Sequence, residues 1–317
     1  MQEAGDVVGG DEQGPRRRGE QCWQPEDGEV LGTHAEVGEE QGLWRDEQLR
    51  QRKEGVVLET QAEEEALEVE KYADESLYST RDYSFCGGST GTTTVRLRSI
   101  EKEDYYGTKI NLTGTSTWFA ASAFSKWSCG EDAASLFGGR AILELGSGTG
   151  LSGIALSKCL MRVGSPSSLL LTDGEEEVVA LLRSNIALNS QDASIDCQQL
   201  WWGPSARLDK LVIEHPSGFE IVFGCDLFYS QSQSSSGAIS GVFIVVEALL
   251  SRVVGSSFYL SFTRRDLDIN VVLSIAKTAG FVATVEEDCC YDIYGTWTSG
   301  QTDFWRDAVY RFQRIAQ

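Results

Sequence analysis

The chain has 317 residues, 41% of them hydrophobic and 8 of them tryptophan, enough for one large domain or two modest ones with a full core. Its formal charge of −21 divides into −14 over residues 1–76 and −7 over the rest, so the body of the chain is only mildly acidic. That balance argues against non-specific nucleic-acid binding, which needs a basic face, and suits a basic partner such as a lysine-bearing surface.

Other classes fall away on residue types. The eight cysteines (22, 86, 129, 159, 197, 225, 289 and 290) contain no C-x-x-C, and the adjacent Cys289-Cys290 pair is poor disulfide geometry. Reduced, mostly buried thiols in a cytoplasmic or nuclear protein are expected. His34 and His215 are the only histidines and stand far apart, so neither a zinc site nor a Ser-His-Asp triad is expected. No apolar stretch approaches the ~18 to 20 residues of a membrane span. The acidic N-terminus shows no signal-peptide core.

In chain order, residues 1–76 form an acidic extension rich in Glu, Gln and Gly, expected to be disordered. Within it, the run from Glu59 to Tyr72 reads as a solvated acidic tail in preference to a partner-induced helix. Residues 77–317 are assigned to one domain. Thr92 to Ile100 alternates apolar and polar residues, as a half-buried strand does. A turn around Glu103 to Gly107 and a partner strand Lys109-Ile110-Asn111-Leu112 would complete a β-hairpin. Trp118 to Trp127 is a helix candidate.

From Ala141 strands and helices alternate. Strand 141–145 precedes helix 151–161, strand 169–172 precedes helix 175–188, and a short strand lies near 194–199. Strand 220–225 precedes helix 239–252, and strand 257–262 precedes helix 268–279. Strands 281–285 and 308–313 close the chain. Seven strands in this alternation predict an α/β, Rossmann-like, mostly parallel sheet with helices on both faces, preceded by the hairpin.

The chemistry concentrates at strand ends. Ile142-Leu143-Glu144-Leu145-Gly146-Ser147-Gly148-Thr149-Gly150 is a buried strand turning through three glycines into a helix. Such a turn brings bare backbone up to a nucleotide-type ligand. It is not a P-loop, because no Gly-Lys-Ser/Thr follows. Nor does it have dinucleotide spacing, since Leu151 stands where the third glycine would fall. Taken alone, tight strand–helix packing explains the turn equally well. The second strand ends at Asp173, where a ribose diol is held in such folds, although an Asp there also suits a helix cap.

With these motifs together, the chain resembles the seven-strand S-adenosylmethionine-dependent methyltransferases. More narrowly, it resembles the family that methylates lysines on non-histone proteins. The resemblance runs from about residue 94 to 313. It is carried by the glycine motif 144–150, Leu112 to Trp118, Leu171-Thr172-Asp173 with Leu181 to Asn189, Leu200-Trp201-Trp202-Gly203, and Cys225-Asp226-Leu227-Phe228-Tyr229. Ser261 to Arg265 with Gly280-Phe281 completes it.

The resemblance implies roles for particular residues. Trp118 would line the methionine end of S-adenosylmethionine, and Gly146, Ser147 and Gly148 would contact its amino-acid part through the backbone. Asp173 would bind the ribose and Trp202 would lie by the adenine, the spacing to Gly203 favouring it over Trp201. Cys225 would contribute backbone beside the sulfonium, while Asp226 and Tyr229 would face the target amine.

That chemistry needs no metal and no covalent intermediate, only a neutral lysine amine held in line with the S–CH3 bond. The expected partner is a protein bearing the target lysine, with no nucleic acid and no membrane, and a monomer is expected. The alternatives are transfer to another amine acceptor, a non-catalytic scaffold of the same fold, or a dehydrogenase using the same glycine turn. A Ser-rich stretch, Ser230 to Gly237, follows Tyr229 directly and departs from the family pattern, as does the acidic extension.

Overall fold

The computed structural model describes residues 78–88, 91–100, 113–189, 195–228, 237–263, 267–289 and 307–315. All of them belong to one compact unit, residues 63–317. The acidic extension, the strand expected at Lys109 to Leu112, Tyr229 and most of the Ser-rich stretch lie outside the described residues.

Continuous apolar runs make the central strands, because both faces of a parallel sheet are covered. β3 (Ala141–Leu145), β4 (Ser168–Asp173), β6 (Ile221–Cys225) and β7 (Ser257–Thr263) are buried along almost their whole length. With β5 (Ile195–Gln199), β8 (Phe281–Cys289) and β9 (Asp307–Arg314) they form one seven-stranded sheet in the order β5-β4-β3-β6-β7-β9-β8. The first five are parallel, and β9 slots antiparallel between β7 and β8.

Seven α-helices among the described residues cover the sheet: α1 (Phe119–Ser128), α2 (Ala133–Phe137), α3 (Leu151–Arg162), α4 (Glu176–Asn189), α5 (Ala206–Glu214), α6 (Ala238–Leu249) and α7 (Ile269–Thr278). Successive strand residues feed opposite cores. Ile142, Leu171 and Phe223 pack with α1, α3 and α4, whereas Leu143, Val222 and Phe258 pack with α5, α6 and α7. Phe124 of α1 stacks on Phe223 of β6 at 4.6 Å between ring centroids.

A β-hairpin precedes the sheet, formed by the strand at residues 92–99 and the segment before it. β2 (Thr92–Ser99) pairs antiparallel with the preceding segment, β1 (Ser79–Cys86), from Ser79↔Ser99 to Cys86↔Thr92. β1 escapes a periodicity reading because seven of its eight residues stay at least partly exposed. β2 alternates as expected and sends Val95 and Leu97 into the core beneath it. Helices α2 and α5 also went unpredicted. α5 is nine residues long and buries only Leu208 and Leu211, with Ser205 capping it through the Leu208 N–H.

The ladder registers decide where a ligand can sit. Leu145 of β3 lies level with Thr172 of β4 and Gly224 of β6, so the chain leaves all three strands at the same height. The sheet order reverses between β3 and β6, and the crevice beyond the carboxyl ends there is the topological switch point of an open α/β sheet.

Candidate active site

A cavity of about 250 Å³ opens at that switch point. Its wall includes Trp118, Gly146, Ser147, Gly148, Asp173, Trp202, Cys225 and Asp226, so every site residue expected from sequence and described by the structure comes together there. Tyr229 lies outside the described residues.

The turn after β3 is built by positive-φ glycines. Gly146 (φ 61°) leaves no room for a side chain: a Cβ would come within 2.7 Å of Leu227 and 3.0 Å of the Trp202 ring. Gly150 (φ 87°) begins α3 with no side-chain cap. The Gly150 N–H donates to Ser147 O at 2.8 Å and closes the turn.

The turn is tied to β4 on its other side. Ser147 donates its N–H to Thr172 O (2.8 Å) and accepts the Thr172 N–H on its Oγ (3.1 Å). Gly148 donates its N–H to Asp173 Oδ2 at 3.0 Å. The backbone N–H groups of Ser147 and Gly148 are therefore already satisfied within the protein, as little-solvated donors must be.

Asp173 also accepts the Glu175 N–H on Oδ1 at 3.3 Å. Asp173 thus lines the cavity and also caps the approach to α4. Burial raises its pKa, while the Gly148, Glu175 and Gly174 N–H groups pull the other way. The Leu200 N–H donates to Asp173 O at 2.7 Å, which brings Trp201 and Trp202 to the rim. The two rings take different places. Trp201 lies against Gly174 and is 54% exposed, whereas Trp202 packs beside Gly146 and edge-on to Phe228.

Trp118 donates its ring N–H to Thr113 O at 2.9 Å, which fixes the half-buried indole over the cavity. Asp226 follows β6 with φ 58°, the one non-glycine residue with positive φ among the described residues. A carboxylate held in that sparsely populated region is a pattern concentrated at functional sites. Its N–H donates to Ser261 O at 2.8 Å, anchoring it to β7. Cys225 Sγ lies 3.3 Å from Ser152 Oγ of α3.

Glu144 also lines the cavity, although the sequence assigned it no role. Glu144 is 2% exposed, and its Oε2 makes no hydrogen bond. Burial pushes its carboxyl up to about 8, with the Asp173 carboxylate adding to the rise. Its position two residues before Gly146 was the available signal.

The described cavity wall carries four carboxyl side chains, Glu144, Asp173, Glu175 and Asp226, and no basic one. Among the described residues no group of His, Cys, Asp and Glu is arranged to hold a metal ion. No described helix is long and apolar enough to cross a membrane.

The sheet order, the glycine turn and the acidic strand ends define a nucleotide-type site in a Rossmann-like domain. Residues 104–247 match the model of the family described as lysine methyltransferase. Among curated proteins, the chain is 28% identical over 209 residues to the Homo sapiens protein-lysine N-methyltransferase EEF2KMT, covering 64% of this chain and 58% of that one. It is 31% identical over 130 residues to the Mus musculus protein of the same name, covering 37% and 35%. The chain thus spans less than two thirds of the length of these relatives. A solved structure, SMU.776, a putative methyltransferase complexed with SAH, aligns at 12% identity and a TM-score of 0.47, covering 69% of this chain and 53% of that one.

Proposed function

We propose that the protein is an S-adenosylmethionine-dependent protein-lysine N-methyltransferase acting on a non-histone protein. The observation that carries this reading is the all-acidic wall of a cavity placed at the switch point. A pyrophosphate-bearing dinucleotide would meet four carboxyl groups and no compensating cation among the described lining residues. A cationic methyl donor meets complementary charge. The family match and the names of the relatives point to a protein lysine as acceptor.

On this reading the cavity residues take roles toward the methyl donor. Asp173 holds the ribose hydroxyls and Trp202 lies by the adenine. Trp118 covers the methionine end, whose amino-acid part rests against Gly146, Ser147 and Gly148. The unpaired Oε2 of Glu144 beneath the turn offers an acceptor to a cationic amino group or an ordered water. S-adenosylmethionine supplies a methyl group on a sulfonium, already electrophilic enough to need no metal.

Asp226 accepts a hydrogen bond from the lysine amine and orients its lone pair, and Tyr229 packs against it. Enclosure by aromatic and apolar surface favours the neutral, nucleophilic form of that amine. Cys225 provides backbone beside the reacting sulfur. The acceptor is a protein, and the enzyme works as a soluble monomer of the cytoplasm or nucleus.

Calorimetry tests this reading directly. The protein is expected to bind S-adenosylmethionine and not NAD, and to transfer labelled methyl groups to protein lysine. Well-folded protein that binds no S-adenosylmethionine overturns it.

A further inference from the structure

Two asparagines on α4 perform the work of a β-strand. β2 pairs with β1 along one edge, and its other edge presents the backbone groups of Arg96 and Arg98. Asn185 accepts the Arg98 N–H on Oδ1 (2.8 Å) and donates from Nδ2 to Arg98 O (3.0 Å). Asn189 does the same for Arg96, at 2.9 and 2.6 Å. Each amide thus exchanges both bonds with one residue, as an opposed residue does in an antiparallel ladder. The spacing allows it: four helical residues rise about 6.0 Å, and two strand residues about 6.8 Å.

The two amides differ in one respect. Asn185 uses its second Nδ2 hydrogen on Thr149 O, in the glycine turn, at 2.9 Å. Asn189 uses its own on Asn185 O within α4, and its Oδ1 also receives Lys158 Nζ at 3.4 Å. The peptide between Thr149 and Gly150 is therefore held at both ends, its N–H by Ser147 O and its carbonyl by Asn185. Asn185 is fully buried, so a Thr149 carbonyl deprived of this donor would have no nearby water to replace it. The same hairpin end reaches the cavity by a second route. Ile100 N–H donates to Thr115 O (2.9 Å), Ser116 Oγ donates to Ile100 O (2.9 Å), and Thr117 Oγ1 lies 3.0 Å from Thr149 Oγ1.

We infer that Asn185 is a positioning residue for the methyl-donor site, locking the glycine turn to the β-hairpin so that the turn is pre-formed before any ligand arrives. The hairpin is then a working part of the cofactor site. The inference rests on the reading that S-adenosylmethionine binds at this turn, and its mechanism is pre-organisation: a turn that must be ordered on binding lowers affinity.

The test compares Asn185→Ala, Asn185→Asp and Asn189→Ala in the full chain. Removing either asparagine side chain withdraws the same kind of bond pair from β2, and Asn185→Ala is expected to lose more thermal stability than Asn189→Ala because it also strands the buried Thr149 carbonyl. Asn185→Asp keeps an acceptor for the Arg98 N–H but has no hydrogen to give Thr149 O. Amide hydrogen exchange at Gly148 and Gly150 is expected to quicken in both Asn185 variants and not in Asn189→Ala, with no ligand present. S-adenosylmethionine is expected to bind about tenfold more weakly to both Asn185 variants, the effect of one buried acceptor losing its donor, and nearly normally to Asn189→Ala. Unchanged exchange in the turn of Asn185→Ala overturns the inference, as does an equal change in Asn189→Ala. Because exchange is read without ligand, wild-type protein that fails to bind S-adenosylmethionine overturns the functional reading alone.

Discussion

The Gly148 N–H donates to Asp173 Oδ2 at 3.0 Å, so the carboxylate that closes β4 also holds the turn that closes β3. The bond depends on the ladder. Leu145 and Thr172 are the last register partners of β3 and β4, which brings the residues just beyond them within hydrogen-bond reach. A single side chain thus sets the shape of the turn and supplies an acceptor in the same wall.

Asp173→Ala should therefore weaken S-adenosylmethionine binding by more than the loss of a ribose contact alone. Hydrogen bonds to a charged group contribute roughly 1.5–3 kcal/mol, which corresponds to about 10- to 100-fold in affinity. Asp173→Asn retains one acceptor and is expected to fall between wild type and Ala. Calorimetric titration of the three proteins, with circular dichroism to establish folding, checks the order. Equal affinities for wild type and Asp173→Ala would remove Asp173 from the site.

Glu144 makes stability depend on pH in an unusual direction for a carboxyl group. Its folded pKa, about 8, lies above its ordinary value of 4.5 because burial disfavours the anion. Between those values the folded state holds more protons than the unfolded state, so stability falls as pH rises, by up to about 1.4 kcal/mol per pH unit. Below pH 4.5 the effect vanishes, and above pH 8 the full penalty remains. Glu144→Gln should be close to wild type in urea denaturation at pH 4.5 and more stable than wild type at pH 9. A wild-type profile no steeper than the variant's across this window would show Glu144 to be charged in the folded protein.

The parts of the site legible in the sequence were those encoded locally. Apolar runs gave the strands, and the residues just past them, Gly146, Asp173 and Asp226, therefore had to lie at the sheet's carboxyl edge. Partnerships across the fold were not legible. Nothing local says that Ser147 and Gly148 give their N–H groups to β4, or that Asn185 reaches Arg98, 87 positions away in the chain. β1 was missed because Ser79–Cys86 shows little hydrophobic periodicity and is identifiable only by the strand it pairs with. Trp201 and Trp202 are adjacent and chemically alike, and only packing against Gly174 and Gly146 separates them.

Arg314 offers a control remote from the chemistry. Its guanidinium pairs with Glu247 Oε2 at 3.0 Å and donates to the carbonyls of Glu247, Leu250 and Ser251 at 2.8–3.0 Å, capping the end of α6. It also lies 5.6 Å from the centre of the Phe281 ring. Arg314→Ala should cost about 2–3 kcal/mol in denaturant unfolding, the scale for losing hydrogen bonds to a charged group. Its affinity for S-adenosylmethionine should stay within about twofold of wild type, because β9 and α6 contribute no residue to the cavity wall. A large loss of affinity in a folded variant would mean that the two ends of the sheet are coupled.

Asp226→Asn separates binding from transfer. Asparagine tolerates the left-handed backbone that Asp226 adopts, so the variant should fold and keep the 2.8 Å bond from its N–H to Ser261 O. Its side chain is isosteric but neutral, and it offers the target amine a weaker acceptor with less control of orientation. S-adenosylmethionine affinity should change by less than about threefold, while methyl transfer to the protein substrate should fall at least ~100-fold, the lower end for a positioned proton-handling side chain. Both are measured on one preparation, by titration and by incorporation of labelled methyl. Transfer at the wild-type rate would assign the orientation of the amine to another residue of the β6 end.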